Sequence, residues 1–165
     1  ALSRVGGDIL ECTVTEPHKE NDGTKDAYVS YLILRMYVYL WAEIQWLGHS
    51  LKRNQTTFST FQRPTTQVRR RFTDFVFLYK VLTREYQGCA VPPLPDKQRM
   101  EYVRGDRFGP DFTARRAYSL QRFLTRLALH PILRRASILH QFLESPDWNA
   151  IMRTRSQRGG LGGAG

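Results

Sequence analysis

Three consecutive arginines, Arg69, Arg70 and Arg71, run straight into Phe72 within the stretch VRRRFTDF at residues 68–75. A guanidinium offers a fork of N–H donors to a phosphate, and an aromatic face packs flat on a ring. An arginine beside an aromatic therefore suits a phosphorylated ring. On an extended chain Arg69 and Arg71 share one face while Arg70 and Phe72 share the other. Near a strand's end that alternation relaxes, so Arg71 and Phe72 can reach one pocket at a strand–helix junction. Thr73 is placed to cap the helix, with Asp74 in its first turn, where the dipole favours a carboxylate. A solvated basic strand end accounts for the same residues on composition alone.

Few other residues offer chemistry. His18, His49, His130 and His140 have no metal-ligand spacing, and His130 and His140 read as helix-end or core histidines. Cys12 and Cys89 follow neither a metal-binding nor a redox spacing, and read as reduced thiols of a cytosolic protein. There is no serine elbow, no phosphate-gripping glycine loop and no acid–base pair. A binding role is expected rather than a catalytic one, without cofactor or metal.

The elements that must position Arg71 follow from periodicity. Residues 9–15 (ILECTVT) alternate, with Leu10, Cys12 and Val14 facing inward as a strand. Asn21-Asp22-Gly23 is a turn signal, and residues 27–33 form a second strand, giving an antiparallel hairpin to which VRRRF adds a third strand. Residues 75–86 place Phe75, Leu78, Tyr79, Leu82 and Tyr86 at helical spacing as a core stripe, with Gly88 as the stop. VPPLP at 91–95 forms a polyproline turn that fixes Lys97 just after it.

A second long helix is predicted over 111–130, started by Pro110 and ended before Pro131. Phe112, Arg116, Leu120 and Leu124 fall on one line, with Phe123 and Leu127 alongside. Arg116 thus sits on an apolar stripe, where it needs an anionic or polar partner or must snorkel out along its stem. A last helix spans 132–143, with Ala136, Leu139 and Leu143 inward. Ser145-Pro146 ends it, and Trp148 begins a linker.

Residues 34–55 (LRMYVYLWAEIQWLGHSLKRNQ) are the odd piece. Arg35, Glu43 and His49 interrupt them too often for a membrane-spanning helix. They read as an extension of the second strand into a longer hairpin, as an amphipathic element with interface-loving Trp41 and Trp46, or as a retained intron. An insertion without dedicated chemistry is the favoured expectation.

The chain has 165 residues and 41% hydrophobic content, enough for one globular domain with its own core. Twenty-five Lys and Arg against 15 Asp and Glu give a net charge of +10, which predicts an anionic partner: nucleic acid or an acidic membrane surface. The start at Ala1 without a signal peptide, and the GGLGGAG end, read as an excised piece with a frayed tail. The expected organisation is a loose 1–8, a domain over 9–148 with the atypical insertion at 34–55, and a flexible tail over 149–165.

Taken together, VRRRFTDF, PPLPDK at 92–97 and ARRAYSLQRFL at 114–124 resemble, in order and spacing, the motifs of the Phox-homology (PX) domain family. VRRRFTDF matches that family's Arg-Arg-(Tyr/Phe)-x-x-Phe signature. The resemblance covers most of 7–148 apart from 34–55. It is closest to the fungal, autophagy-related PX-BAR sorting nexins of the sorting nexin-4 type. It implies an α+β fold, a three-stranded antiparallel sheet packed against a helical subdomain. It also implies binding of phosphatidylinositol 3-phosphate, recruitment to endosomal and pre-autophagosomal membranes for sorting and selective autophagy, and pairing with other sorting nexins through a BAR region that this chain lacks.

By the same resemblance Arg71 would hold the 3-phosphate, Phe72 would pack under the inositol, Lys97 would bind the 1-phosphate and Arg116 the ring hydroxyls. The family's membrane-insertion loop falls at 98–109, where Met100, Tyr102 and Val103 stand among Arg99, Arg104 and Arg107. Phe72 lacks the hydroxyl of the tyrosine many relatives carry, and Thr73 stands where some have a further basic residue. Two competing roles remain: a basic nucleic-acid-binding domain, and a protein-interaction module acting through VPPLP, which fits a P-x-x-P-x-Lys ligand. Because the aromatics fall on helical core stripes, no nucleic-acid partner is expected.

Overall fold

The computed structural model describes residues 8–39, 63, 65–95 and 108–160. Three strands, β1 (Asp8–Glu20), β2 (Tyr28–Tyr39) and β3 (Thr65–Arg71), form one antiparallel sheet in the order β1-β2-β3. Among the described residues five helical pieces follow: α1 (Phe72–Glu85), α2 (Pro110–Leu129), a 3-10 turn (Leu133–Arg135), α3 (Ser137–Glu144) and α4 (Trp148–Gly160). The α+β arrangement is as expected. No described helix is long and apolar enough to cross a membrane.

The hairpin turns where Asn-Asp-Gly predicts it, with Asn21 and Gly23 at φ of +54° and +79° and Thr24 N–H donating to Asn21 O. Leu10, Cys12 and Val14 are buried as expected, and burial pushes the Cys12 thiol up to about 12, which keeps it protonated and unreactive. A bulge between Thr15 and His18 holds Glu16 at φ +46°, unfavourable for a residue with a side chain. Arg69 secures it, donating from Nη2 to Glu16 O at 2.6 Å and from Nε to Ser30 Oγ at 2.9 Å.

The second strand is longer than expected. It continues through residues 34–39, where Leu34 pairs with Thr13 and Gln67 and Met36 with Glu11 and Thr65. Arg35 is fully buried, donating to Thr66 Oγ1 and Arg63 O and lying 3.6 Å from Glu144. The first part of the supposed insertion is therefore sheet, as the extended-hairpin alternative proposed, and excising 34–55 would cut into β2. Residues 40–55 lie outside the described residues.

Phe75, Leu78 and Leu82 of α1 pack with Leu120, Phe123, Leu124 and Leu127 of α2 in one core over the sheet. Several helix ends differ from expectation. α1 starts at Phe72 with Thr73 inside its first turn, because Asp74 Oδ2 accepts the Arg71 N–H at 2.8 Å and fixes the start there. It stops at Glu85, before Gly88. The predicted 132–143 helix is split at Ala136, which is extended; His130 Nδ1 accepts the N–H groups of Ile132 and Leu133 and organises the first part as a 3-10 turn.

The largest correction is at the end. Trp148 is buried, edge-on to Phe77 and Phe142 with centroids 5.9 and 5.1 Å apart, and starts a helix where a linker and flexible tail were expected. Burying so large an aromatic surface docks the start of α4. Arg155 then pairs with Glu85 at 2.5 Å.

His140 is a core histidine, with Nε2 2.8 Å from Arg134 O. Burial first, opposed by that carbonyl, lowers it from its ordinary 6.5, so the folded state takes up its proton later than the unfolded chain. Stability from neutral His140 is present above pH 6.5 and is lost as pH falls below it toward the lower folded value. Melting followed by circular dichroism should therefore show a temperature falling with acidification below 6.5, and His140→Gln should flatten that slope.

Candidate functional site

The sheet ends on Arg71 and the first helix begins on Phe72, so the chemistry of the RRRF run sits at the positive end of α1. In β3 the side chains alternate as predicted, with Gln67 and Arg69 outward and Thr66, Val68 and Arg70 inward. Arg71 is half-buried. Its Nε donates to Asp74 Oδ1 at 3.2 Å and its guanidinium lies over the Tyr28 ring at 5.7 Å. Its two Nη groups make no hydrogen bond among the described residues, so Asp74 orients the guanidinium and leaves its bidentate edge unspent.

Arg116, in the second turn of α2, reaches the same junction. Its guanidinium carbon stands 4.2 Å from the Phe72 ring centroid and 4.4 Å from that of Phe112, both rings buried. Cation–π contacts at such distances contribute about 1–2 kcal/mol when desolvated. They hold the cation without using its hydrogen bonds. Arg116 Nη2 is buried and finds no hydrogen-bond partner among the described residues. A buried donor left unpaired costs about 1–3 kcal/mol, so an acceptor placed against it would be favoured. Arg116 of α2 therefore meets Phe72 at the start of α1, with Arg71 preceding Phe72 in the chain; both arginines are oriented by protein contacts and have donors without a hydrogen bond among the described residues. That arrangement suits an anion with several oxygen acceptors.

Of the residues predicted from sequence, Phe72 and Arg116 are in direct contact, and Arg71 adjoins them along the chain. Lys97, Met100, Tyr102 and Val103 lie outside the described residues. Three contributors were not assigned from sequence. Phe112 stands four residues before Arg116, a visible helical spacing. Asp74 was noted only as a first-turn acid. Tyr28 left no local signal, since the pairing of Ser30 with Arg71 brings it there.

A concavity of about 990 Å³ lies elsewhere, between β3 and α3. Several of its polar groups are already engaged: Thr66 Oγ1 donates to Leu143 O and accepts from Arg35, and Arg70 donates to Phe142 O and Ser145 O. It is a hydrogen-bonded seam, and the unspent donors of Arg71 and Arg116 mark the better candidate.

A model of the PX domain family matches residues 58–146, more than half of the chain. The chain is 70% identical to sorting nexin-4 of Neurospora crassa over 99% of its own length, and 58% identical to sorting nexin-4 of Emericella nidulans over 99%. Sorting nexin-4 of Cryptococcus neoformans is 43% identical over 87%. The chain spans 29%, 30% and 25% of those relatives' lengths. A designed CISK-PX domain, solved by X-ray methods, matches with a TM-score of 0.54 at 22% identity, over 82% of this chain and 99% of that one, and shares the fold.

Proposed function

The chain belongs to the PX domain family, and on that premise we propose that it is a phosphoinositide-binding module that recruits its parent protein to membranes. Its ligand is phosphatidylinositol 3-phosphate. The single observation that carries this is Arg116, against Phe72 and Phe112 with a buried Nη2 that has no hydrogen-bond partner among the described residues, Phe72 itself being preceded in the chain by Arg71, whose Nη groups make no hydrogen bond among those residues.

Arg71 takes the 3-phosphate, Phe72 and Arg116 the inositol ring and its hydroxyls, and Lys97 the 1-phosphate. Each charge-assisted contact contributes roughly 1.5–3 kcal/mol, and basic residues near an acidic leaflet add about 1 kcal/mol each. The attachment is reversible and non-catalytic, on endosomal and pre-autophagosomal membranes, where the parent protein serves sorting and selective autophagy and meets other sorting nexins through its BAR region.

The competing roles have less support. Half of the described aromatics are buried and most of the rest are half-buried; Tyr28 and Tyr118 are the exposed ones among the described residues, too few for a stacking platform. Val91 and Leu94 of VPPLP pack on the core, so the segment does not present itself as a free proline ligand.

The test is sedimentation with vesicles each doped with one phosphoinositide, beside a gel shift with single-stranded nucleic acid. Binding confined to 3-phosphate vesicles supports the reading; a gel shift without vesicle binding overturns it. Replacing Met100, Tyr102 and Val103 together by serine should leave soluble headgroup binding intact and weaken binding to bilayers. Apolar burial at an interface contributes about 25 cal/mol per Å², and raising salt should then weaken the variant proportionally more than wild type. Equal loss of both activities would mean that these residues instead hold the loop on the core.

A further inference from the structure

α4 has Arg153, Arg155 and Arg158 and no acidic residue. Arg155 is neutralised by Glu85. Arg153 is exposed and makes no ion pair among the described residues. Asn149, Arg153, Ser156 and Gln157 recur at helical spacing on one face. With Met152 and Arg71 they line an open concavity of about 590 Å³. Arg158 faces away, into a separate concavity with Arg84 and Glu85.

We propose that this face of α4 is a second anion subsite, taking the phosphate of a neighbouring acidic phospholipid while Arg71 engages the inositol headgroup. The inference rests on the headgroup reading above. Arg71 and Arg153 bring two cations to one depression, and Asn149, Ser156 and Gln157 supply neutral donors around them. The concavity is too open for one exposed arginine to retain a free anion, because such a charge is solvated and screened. A lipid phosphate held in the bilayer, beside a headgroup already bound, is presented at high local concentration and needs only modest intrinsic affinity.

The experiment uses the whole chain and phosphatidylcholine vesicles containing phosphatidylinositol 3-phosphate, with or without phosphatidylserine. Wild type, Arg153→Gln and Arg158→Gln are compared, with calorimetry on soluble inositol 1,3-bisphosphate. The expected result is that phosphatidylserine tightens wild-type binding and that Arg153→Gln loses about fivefold of this gain, with soluble headgroup affinity unchanged and Arg158→Gln losing clearly less. Equal losses in both variants would mean diffuse surface charge and would overturn the subsite. A fall in soluble headgroup affinity in Arg153→Gln would assign Arg153 to the headgroup pocket instead. Should wild type ignore 3-phosphate vesicles altogether, the headgroup reading fails and the subsite goes with it; wild-type binding with a phosphatidylserine gain that survives Arg153→Gln sinks the subsite alone.

Discussion

Replacing Arg71 by alanine should lower binding to 3-phosphate vesicles by about ten- to a hundredfold or more, with little change in melting temperature. The range follows from losing a charge-assisted phosphate contact of roughly 1.5–3 kcal/mol. The fold should tolerate the change because Arg71 is half-buried and its one ion pair, with Asp74 at 3.2 Å, is partly exposed, where such pairs contribute about 0–1 kcal/mol. The backbone N–H that Asp74 accepts survives the substitution and keeps the start of α1 in place. Lysine at this position should recover only part of the affinity, since it restores the charge without the planar fork. The measurement is vesicle sedimentation beside a thermal melt. Undiminished binding by the alanine variant would remove Arg71 from the site.

Replacing Arg70 by alanine should do the reverse, costing about 3–5 kcal/mol of stability and roughly 10 °C or more in melting temperature. Arg70 is 4% exposed. Its Nε donates to Phe142 O at 3.0 Å and its Nη2 to Ser145 O at 2.6 Å, so it caps the carbonyl end of α3 from across the fold. Its guanidinium also lies 5.4 Å from the rings of Phe142 and Trp148, which ties the start of α4 into the same cluster. Burial pulls Arg70 down to about 10, against the favourable charge of Asp74, so it remains a cation at neutral pH. Alanine would orphan two carbonyls and leave a void beside two aromatics. At a temperature where the variant is folded, its headgroup affinity should approach that of wild type. A wild-type melting curve for Arg70→Ala would show that the α3 end is satisfied by other means.

Neighbouring residues of one type thus perform different tasks, and this marks where sequence reasoning ended. Period-two alternation put Arg70 and Arg71 on opposite faces, and the helical stripe placed Arg116 among apolar residues, because these periodicities are local properties of the backbone. The hairpin turn, the strands, the two long helices and the core stripes were legible for the same reason. What an inward arginine would meet was not, since the carbonyls of Phe142 and Ser145 are more than seventy positions away from it. The length of β2 was obscured because Arg35 breaks the apolar pattern, and its partners Thr66, Arg63 and Glu144 come from distant parts of the chain. Trp148 looked like the start of a linker because its partners, Phe77 and Phe142, come from two other helices. By itself the sequence determined which residue types stand at the strand–helix junction and which face each occupies. Only the tertiary structure decided that Arg69 secures a bulge, Arg70 caps a distant helix and Arg71 spends Nε on Asp74 but neither Nη on any described residue, because a cation's role is set by the acceptors that folding brings to it.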